Sequence, residues 1–329
     1  MKALLSHGPG GPETLRLAEL PEPTAGAGEL LVRVRACAIN YPDVLIIEDK
    51  YQLKPPRPFA PGSEIAGEVL AVGEGVDGWA VGDRLIAATG FGGLSEKITI
   101  ATSAAIPLPH QRGFEQGSAL LLTYATAIHA LIDRGKLQAG QTLLVLGAAG
   151  GAGLAAVEIG KALGARVIAA ASSQEKAAAA LAAGADSAIV YPRDVDDPRA
   201  LSALFKDAAG PAGADVIFDP VGGDYAEAAL RSIAWAGRYL VVGFPAGIPR
   251  LPLNLTLLKG CDVCGVFWGA FAARDPKANA AHVALLFRWW GEGKIAPNVS
   301  ATFPLERAGE AIAALRDRNA IGKLVVTLD

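Results

Sequence analysis

The sequence has few of the residues from which metal and redox sites are usually built. Its 329 residues include three cysteines and four histidines. Three cysteines cannot make a disulfide framework, and their number suits a reducing cytoplasm. Cys261 and Cys264 form a C-x-x-C in "LKGCDVCGVFWG". No second pair or histidine cluster accompanies it, so buried packing is favoured over a metal or redox role. His7, His110, His129 and His282 stand in unlike contexts, and none is assigned to catalysis. A charge excess is missing too. The net charge is -3 and the pI is near 5.9, which argues against nucleic acid or an anionic membrane surface as main partner. Long apolar runs are also wanting, although the mean hydropathy is +0.32. The most suspicious stretch, "ALLLTYATAIHALI" at 119–132, is interrupted by Thr123, Thr126 and His129. It is too short for a bilayer and reads as a buried helix, so no membrane association is expected. The opening "MKALLSHGPGGPE" lacks a signal-peptide core. What is present suffices for a sizeable core and, by length, for two domains.

Residues 1–122 read as short strands broken by Gly and Pro. "TLRLAELPEP", "ELLVRVRACAIN", "EIAGEVLAVGEGV" and "GDRLIAA" alternate or run apolar at strand length, with no long helical pattern between them. This is the texture of a small, mainly β, barrel-like domain. From 123 to 265 the texture becomes β/α alternation, with strands at 142–146 and 166–171, then "DSAIVY", "ADVIFD" and "GRYLVVGF". Helical patterns lie between these strands, which predicts a doubly wound parallel sheet with right-handed crossovers. Residues 266–329 carry two helical patterns and a final strand, and they are expected to return to the first domain. The fold class is therefore α/β, a Rossmann sheet inserted in a mainly β domain.

The inserted segment begins "LVLGAAGGAGLAAVEIGKALGARVIAAASSQEK", a strand, a glycine cluster, a helix and a second strand. Aligned to the dinucleotide fingerprint, Ala148, Gly150 and Gly153 take the three glycine places, so the first is an alanine. The loop residues expected to meet a nucleotide phosphate are Ala149, Gly150, Gly151 and Ala152. About 20 residues on, an NAD site places an acid that bonds the adenosine ribose. This chain has Ser172 and Ser173 there, with Lys176 one turn later. A charge-assisted bond to a 2′-phosphate is worth about 1.5–3 kcal/mol. NADPH is therefore the expected cofactor, with Glu175 as counter-evidence and NADH as the weaker second.

The order of "GGPETLRLAELPEPTAGAGELLVRVRACAINYPDVL", "PGSEIAGEVLAVGEGV", "VGDRL", "GAAGGAG", "FDPVGG", "VVGFPAG" and "IGKLVV" resembles the zinc-free quinone oxidoreductase branch of the medium-chain dehydrogenases/reductases, over the whole length. The resemblance implies that the mainly β domain is GroES-like. Zinc-containing relatives carry a cysteine and a histidine ligand where this chain has Asn40 and Ser63, so no metal is expected. Without a Lewis acid, the chemistry that remains is hydride delivery to a quinone or an activated double bond.

The resemblance also implies roles. "NYPDV" lies beside the nicotinamide in such enzymes, so Asn40 orients an amide or substrate oxygen, Tyr41 borders the cofactor and Asp43 braces the segment. For Asp43 a capped turn before proline is the competing reading. Thr126 matches the threonine that contacts the nicotinamide, against a hydroxyl bonded to its own helix. Tyr191 packs on the adenine, and Gly243, Phe244 and Ala246 border the nicotinamide ribose. Lys323 closes over the cofactor, against a solvated lysine at a strand start. Tyr51 matches the proton donor of enoyl-thioester reductases, against an aromatic that merely walls the pocket. Trp289 and Trp290 read as packing. The implied function is NADPH-dependent reduction of a quinone or enone by a cytoplasmic homodimer joined through 261–269. An enoyl-thioester reductase and a non-catalytic NADPH-binding protein are the alternatives.

Overall fold

The computed structural model describes residues 1–328, which fall into two compact units. The first is Met1–Leu122 with the chain from Pro297 onward, and the second is Thr123–Ala296. Among the described residues no helix is long and apolar enough to cross a membrane.

Strand Glu29–Ile39 is the spine of the first unit. It pairs antiparallel with Glu64–Val72 on one edge. On the other edge its first half pairs with Lys97–Ala101 and its second half with Lys323–Thr327. Arg84–Ala88 and Ala105–Pro107 extend the sheet one way, Val299–Pro304 the other. The sequence explains the two halves. In "LLVRV" a period of two buries Leu30, Val32 and Val34 on one face, whereas in "ACAI" every residue is buried. Cys37 and Ile39 there join the main core, while Ala36 and Ala38 pack on Ala119 and Val325 on the opposite face. A helix at Tyr41–Ile47 interrupts the strands. Seven residues are too few to show a helical period, but Pro42 in the first turn and the Asp43 carboxylate accepting the Asn40 N–H at 2.7 Å start it.

The second unit is a six-stranded sheet, parallel throughout. Its order is Ser187–Val190, Arg166–Ala171, Thr142–Val145, Ala214–Asp219, Ile233–Val241, Asp262–Gly265. Both faces are covered, which is why these strands are continuous apolar runs. Leu144, Ile168, Phe205, Ile217 and Tyr239 form the heart of one core. The order reverses between Thr142–Val145 and Ala214–Asp219, each of which lies in the middle of the sheet.

Two expectations need correction. The helical stretch 121–134 is continuous but wide, with π-helical turns at Leu121–Ala125 and His129–Arg134. The return to the first unit comes at Pro297, not 266. Helix Pro276–Gly291 buries Leu286, Trp289 and Trp290. Its His282 lies 3.5 Å from Asp133, which also binds His129 at 2.6 Å. The change of period at Gly265 marks the end of the sheet; the unit goes on for another thirty or so residues because its helices still need cover.

Candidate active site

Ligands of an open parallel sheet lie beyond the carboxyl ends of its strands, where the strand order reverses. In the second unit the first loop at that edge follows Thr142–Val145. Its left-handed residue is Gly147, with φ +55. The tight turn is thus made one position before Ala148, whose N–H bonds Ala170 O at 3.0 Å, so the alanine in the fingerprint's first place does no harm. Gly150 is the N-cap of helix Gly151–Ala162, and no side chain caps it. The first N–H groups of that helix, on Gly151 and Ala152, therefore point out with the positive end of the dipole. A Cβ on Gly153 would lie 2.2 Å from Gly147 O; its absence lets the helix sit against the loop. Ala149 is buried within the turn.

The other loops continue the edge. Ser173 caps helix Gln174–Ala182, its Oγ accepting the Lys176 N–H at 3.2 Å. Ser172, Ser173 and Lys176 are half-buried, and Glu175 is exposed. Asp219, which the sequence reading passed over, organises the next two loops. Its Oδ1 accepts the N–H groups of Val221 and Gly222 at 2.8 and 2.9 Å, and its Oδ2 accepts the Tyr239 hydroxyl. Burial pushes its carboxyl above the usual range. The segment 243–247 is tied on by Ala246 N–H to Val221 O at 2.9 Å and Gly223 N–H to Gly247 O at 2.7 Å. Gly243 and Ala246 are half-buried and Phe244 is exposed. Thr126 is half-buried on the wide helix. Tyr191 departs from its expected role. It is buried against Phe205 and Tyr225, ring centroids 6.2 and 5.0 Å away, so its ring is core and not a platform for adenine.

The first unit holds a different assembly, made of buried side chains. Asp43 is fully buried. Besides the Asn40 N–H it accepts the Gly62 N–H at 3.0 Å and the Ser63 hydroxyl at 3.3 Å. Burial raises its carboxyl to about 6 against the pull of these donors. Glu64, equally buried, accepts Asn40 Nδ2 at 3.0 Å and Lys323 Nζ at 3.4 Å on one oxygen, and the Leu122 N–H at 3.0 Å on the other. Burial raises this carboxyl too, with the Lys323 ammonium opposing. Lys323 also donates to Asn40 Oδ1. The lysine expected to be solvated or to close over a cofactor is 3% exposed and spends its charge inside the unit.

Asn40 is changed in role by these contacts. Its Nδ2 hydrogens go to Glu64 and to Ala38 O at 3.2 Å. No N–H is left for a substrate oxygen; only an Oδ1 lone pair remains. Asp43, fully buried, gives its oxygens to Asn40, Gly62 and Ser63, and so positions those residues. Tyr41 and Tyr51 are half-buried against the core. Burial raises the Tyr41 phenol. Burial, then the nearby Asp43 charge, raises that of Tyr51, which therefore keeps its proton at neutral pH. Among the described residues nothing shares a hydrogen bond with the Tyr51 hydroxyl.

A doubly wound sheet with a glycine loop, inserted in a unit built on an open, mostly antiparallel sheet, defines a class. Residues 26–110 match the alcohol dehydrogenase GroES-like domain, and residues 151–284 match the zinc-binding dehydrogenase family. The chain is 37% identical over 305 residues to a quinone oxidoreductase-like protein 2 homolog of Nematostella vectensis, covering 92% of this chain and 82% of that one. It is similar to the quinone oxidoreductase of Thermus thermophilus, solved also with NADPH (34% identity, TM-score 0.84, 100% of both chains). It is similar as well to the Escherichia coli quinone oxidoreductase complexed with NADPH (29% identity, TM-score 0.91, 100% of both chains). The chain belongs to the medium-chain dehydrogenases/reductases, in their quinone oxidoreductase branch, and is an oxidoreductase.

The zinc in the name of the second family model finds no matching donors here. The carboxylates of Asp43 and Glu64 are committed to internal donors, Asn40 offers at most one lone pair, and an ammonium already stands among them. Among the described residues no three His, Cys, Asp or Glu side chains are grouped to hold a metal. A zinc ion does not fit this set of residues.

Proposed function

We propose that this oxidoreductase uses NADPH to reduce quinones or α,β-unsaturated carbonyls. The observation that carries the reading is the uncapped start of helix Gly151–Ala162, followed at the next strand end by two serines and a lysine where an acid would exclude a 2′-phosphate. When bound, NADPH supplies a hydride. The N–H groups of Gly151 and Ala152, beside Ala149 and Gly150, hold its pyrophosphate. Ser172, Ser173 and Lys176 take the 2′-phosphate, while Thr126, Gly243, Phe244 and Ala246 take the nicotinamide end. Tyr51 carries the acid chemistry. A hydride added to a conjugated bond leaves an enolate, and a protonated phenol that shares no hydrogen bond among the described residues can donate to it. A quinone anion draws its proton from water instead. Asn40, held by Glu64 and Lys323, can accept one N–H from a bound amide through its remaining lone pair.

The test is a steady-state assay of NADPH and NADH oxidation with quinones, enones and acyl thioesters. Turnover of quinones or enones with NADPH is expected. Preference for acyl thioesters would move the chain to the enoyl-thioester reductases, and no turnover with any acceptor would overturn the reading.

The reading includes a homodimer through edge strand Asp262–Gly265, in a cytoplasm that keeps the three cysteines free. Val263, Phe267, Leu257, Leu258 and Trp235 are exposed on the same unit, a costly surface for a monomer. Light scattering at micromolar concentration is expected to give twice 33.7 kDa; the monomer mass alone would refute the dimer.

A further inference from the structure

One buried acid in the second unit is left over by everything above. Glu158 lies on helix Gly151–Ala162, about two turns beyond the nucleotide loop. Its Oε2 accepts the Tyr124 hydroxyl at 2.8 Å and the Ala296 N–H at 2.9 Å. Those partners are not neighbours in sequence. Tyr124 is the second residue of the unit, and Ala296 is its last. Tyr124 is also two residues before Thr126 on the same wide helix. A single carboxylate oxygen therefore joins the place where the chain enters the unit, the place where it leaves, and the helix that begins at the phosphate loop.

We propose that Glu158 is a positioning residue that fixes Thr126 relative to the nucleotide loop, holding its helix firmly as a carboxylate and loosely as a neutral acid. The inference rests on the NADPH reading above. A neutral carboxyl accepts weaker hydrogen bonds than a carboxylate, by a factor of about two. Burial, against the two donors, places the Glu158 carboxyl at about 7, so both forms are populated near neutrality. The segments packed on this helix are strands Thr142–Val145 and Arg166–Ala171 and the wide helix. Their charged groups are engaged elsewhere: Arg166 with Ala208 O, His129 with Asp133, and Arg134 with Gly265 O. On its own helix Lys161 pairs with Asp186, and near Ala296 Lys294 pairs with Glu292. Desolvation, Ala296 and Tyr124 account for the shift of Glu158.

Two measurements between pH 6 and 8 test the proposal. Hydrogen exchange of the Ala296 amide in the cofactor-free protein, corrected for intrinsic rates, should slow about fivefold to tenfold as pH rises past 7. The KM for NADPH should fall by a similar factor with kcat little changed. Glu158→Gln keeps an acceptor oxygen that cannot titrate, so both profiles should become flat; Glu158→Ala should lose the protection at every pH. Wild-type profiles that Glu158→Gln leaves unaltered would overturn the proposal. A wild type that fails to bind NADPH but shows the Glu158-dependent exchange would overturn the cofactor reading, leaving the tie itself standing.

Discussion

The carboxyl edge of the second unit and the polar cluster of the first make their sites from opposite materials. The edge is mostly backbone: a left-handed glycine, an uncapped helix start, a glycine that leaves room for a loop. The cluster is mostly side chain: two buried carboxylates, an amide and an ammonium, satisfied by one another, by Ser63 and by neighbouring backbone. A backbone site is damaged by added atoms, because its donors are in place whatever the neighbouring side chains do. A side-chain cluster is damaged by removed atoms, because each loss strands a desolvated charge.

Four substitutions probe that contrast, beginning with the largest effect. Tyr51→Phe removes the one group of the first unit read as touching substrate. It should lower kcat on an enone by about 10²–10⁴-fold, with NADPH affinity unchanged and quinone reduction affected less; a wild-type enone rate would reduce Tyr51 to a pocket wall. Lys323→Met tests removal. Leaving Glu64 buried without its cation should cost about 3–5 kcal/mol, read from urea unfolding, and a loss below about 1 kcal/mol would show that the cluster tolerates gaps. Gly153→Ala tests addition. Its Cβ would press on backbone 2.2 Å away, so about 1–3 kcal/mol should appear as lost stability or weaker NADPH binding, measured by thermal melting and fluorescence titration. An unchanged protein would mean that the loop yields freely. Lys176→Ala removes a charge at the edge. NADPH affinity should fall about tenfold and NADH affinity stay as it was, and an equal loss for both cofactors would remove Lys176 from the 2′-phosphate.

The same contrast decides what could be read before the structure. The nucleotide edge was legible because its parts are local. Strand, glycines, helix and next strand follow one another in about thirty residues, and the missing acid at 172–173 needs no distant partner to be noticed. The exception was the register of the turn, since Gly147 and Ala148 are adjacent and only a dihedral angle tells which one bends. The polar cluster was half legible. Asn40 and Asp43 stood out through "NYPDV", but Glu64 was given no role and Lys323 looked like a lid, because nothing in sequence announces that positions 259 residues apart will share a bond. Tyr191 was misread for a related reason: an aromatic at a strand end looks the same whether Phe205 and Tyr225 cover it or not. Glu158 and Asp219 went unnoticed, since a lone acid on a helix or strand is usually a solvated one.

The pairing of Lys323–Thr327 with Ala36–Ile39 also has a consequence for the order in which the chain comes off the ribosome. The second unit lies wholly between these partners and can close as soon as its own 174 or so residues have emerged. The first unit cannot. Until residues 323–327 are synthesised, the far half of its central strand has a bare edge and Glu64 has no cation to meet, so the half made first is the half finished last. Its closure joins residues about 290 apart in sequence, so it is expected to be slower than closure of the second unit and to leave nascent chains longer exposed to mispairing.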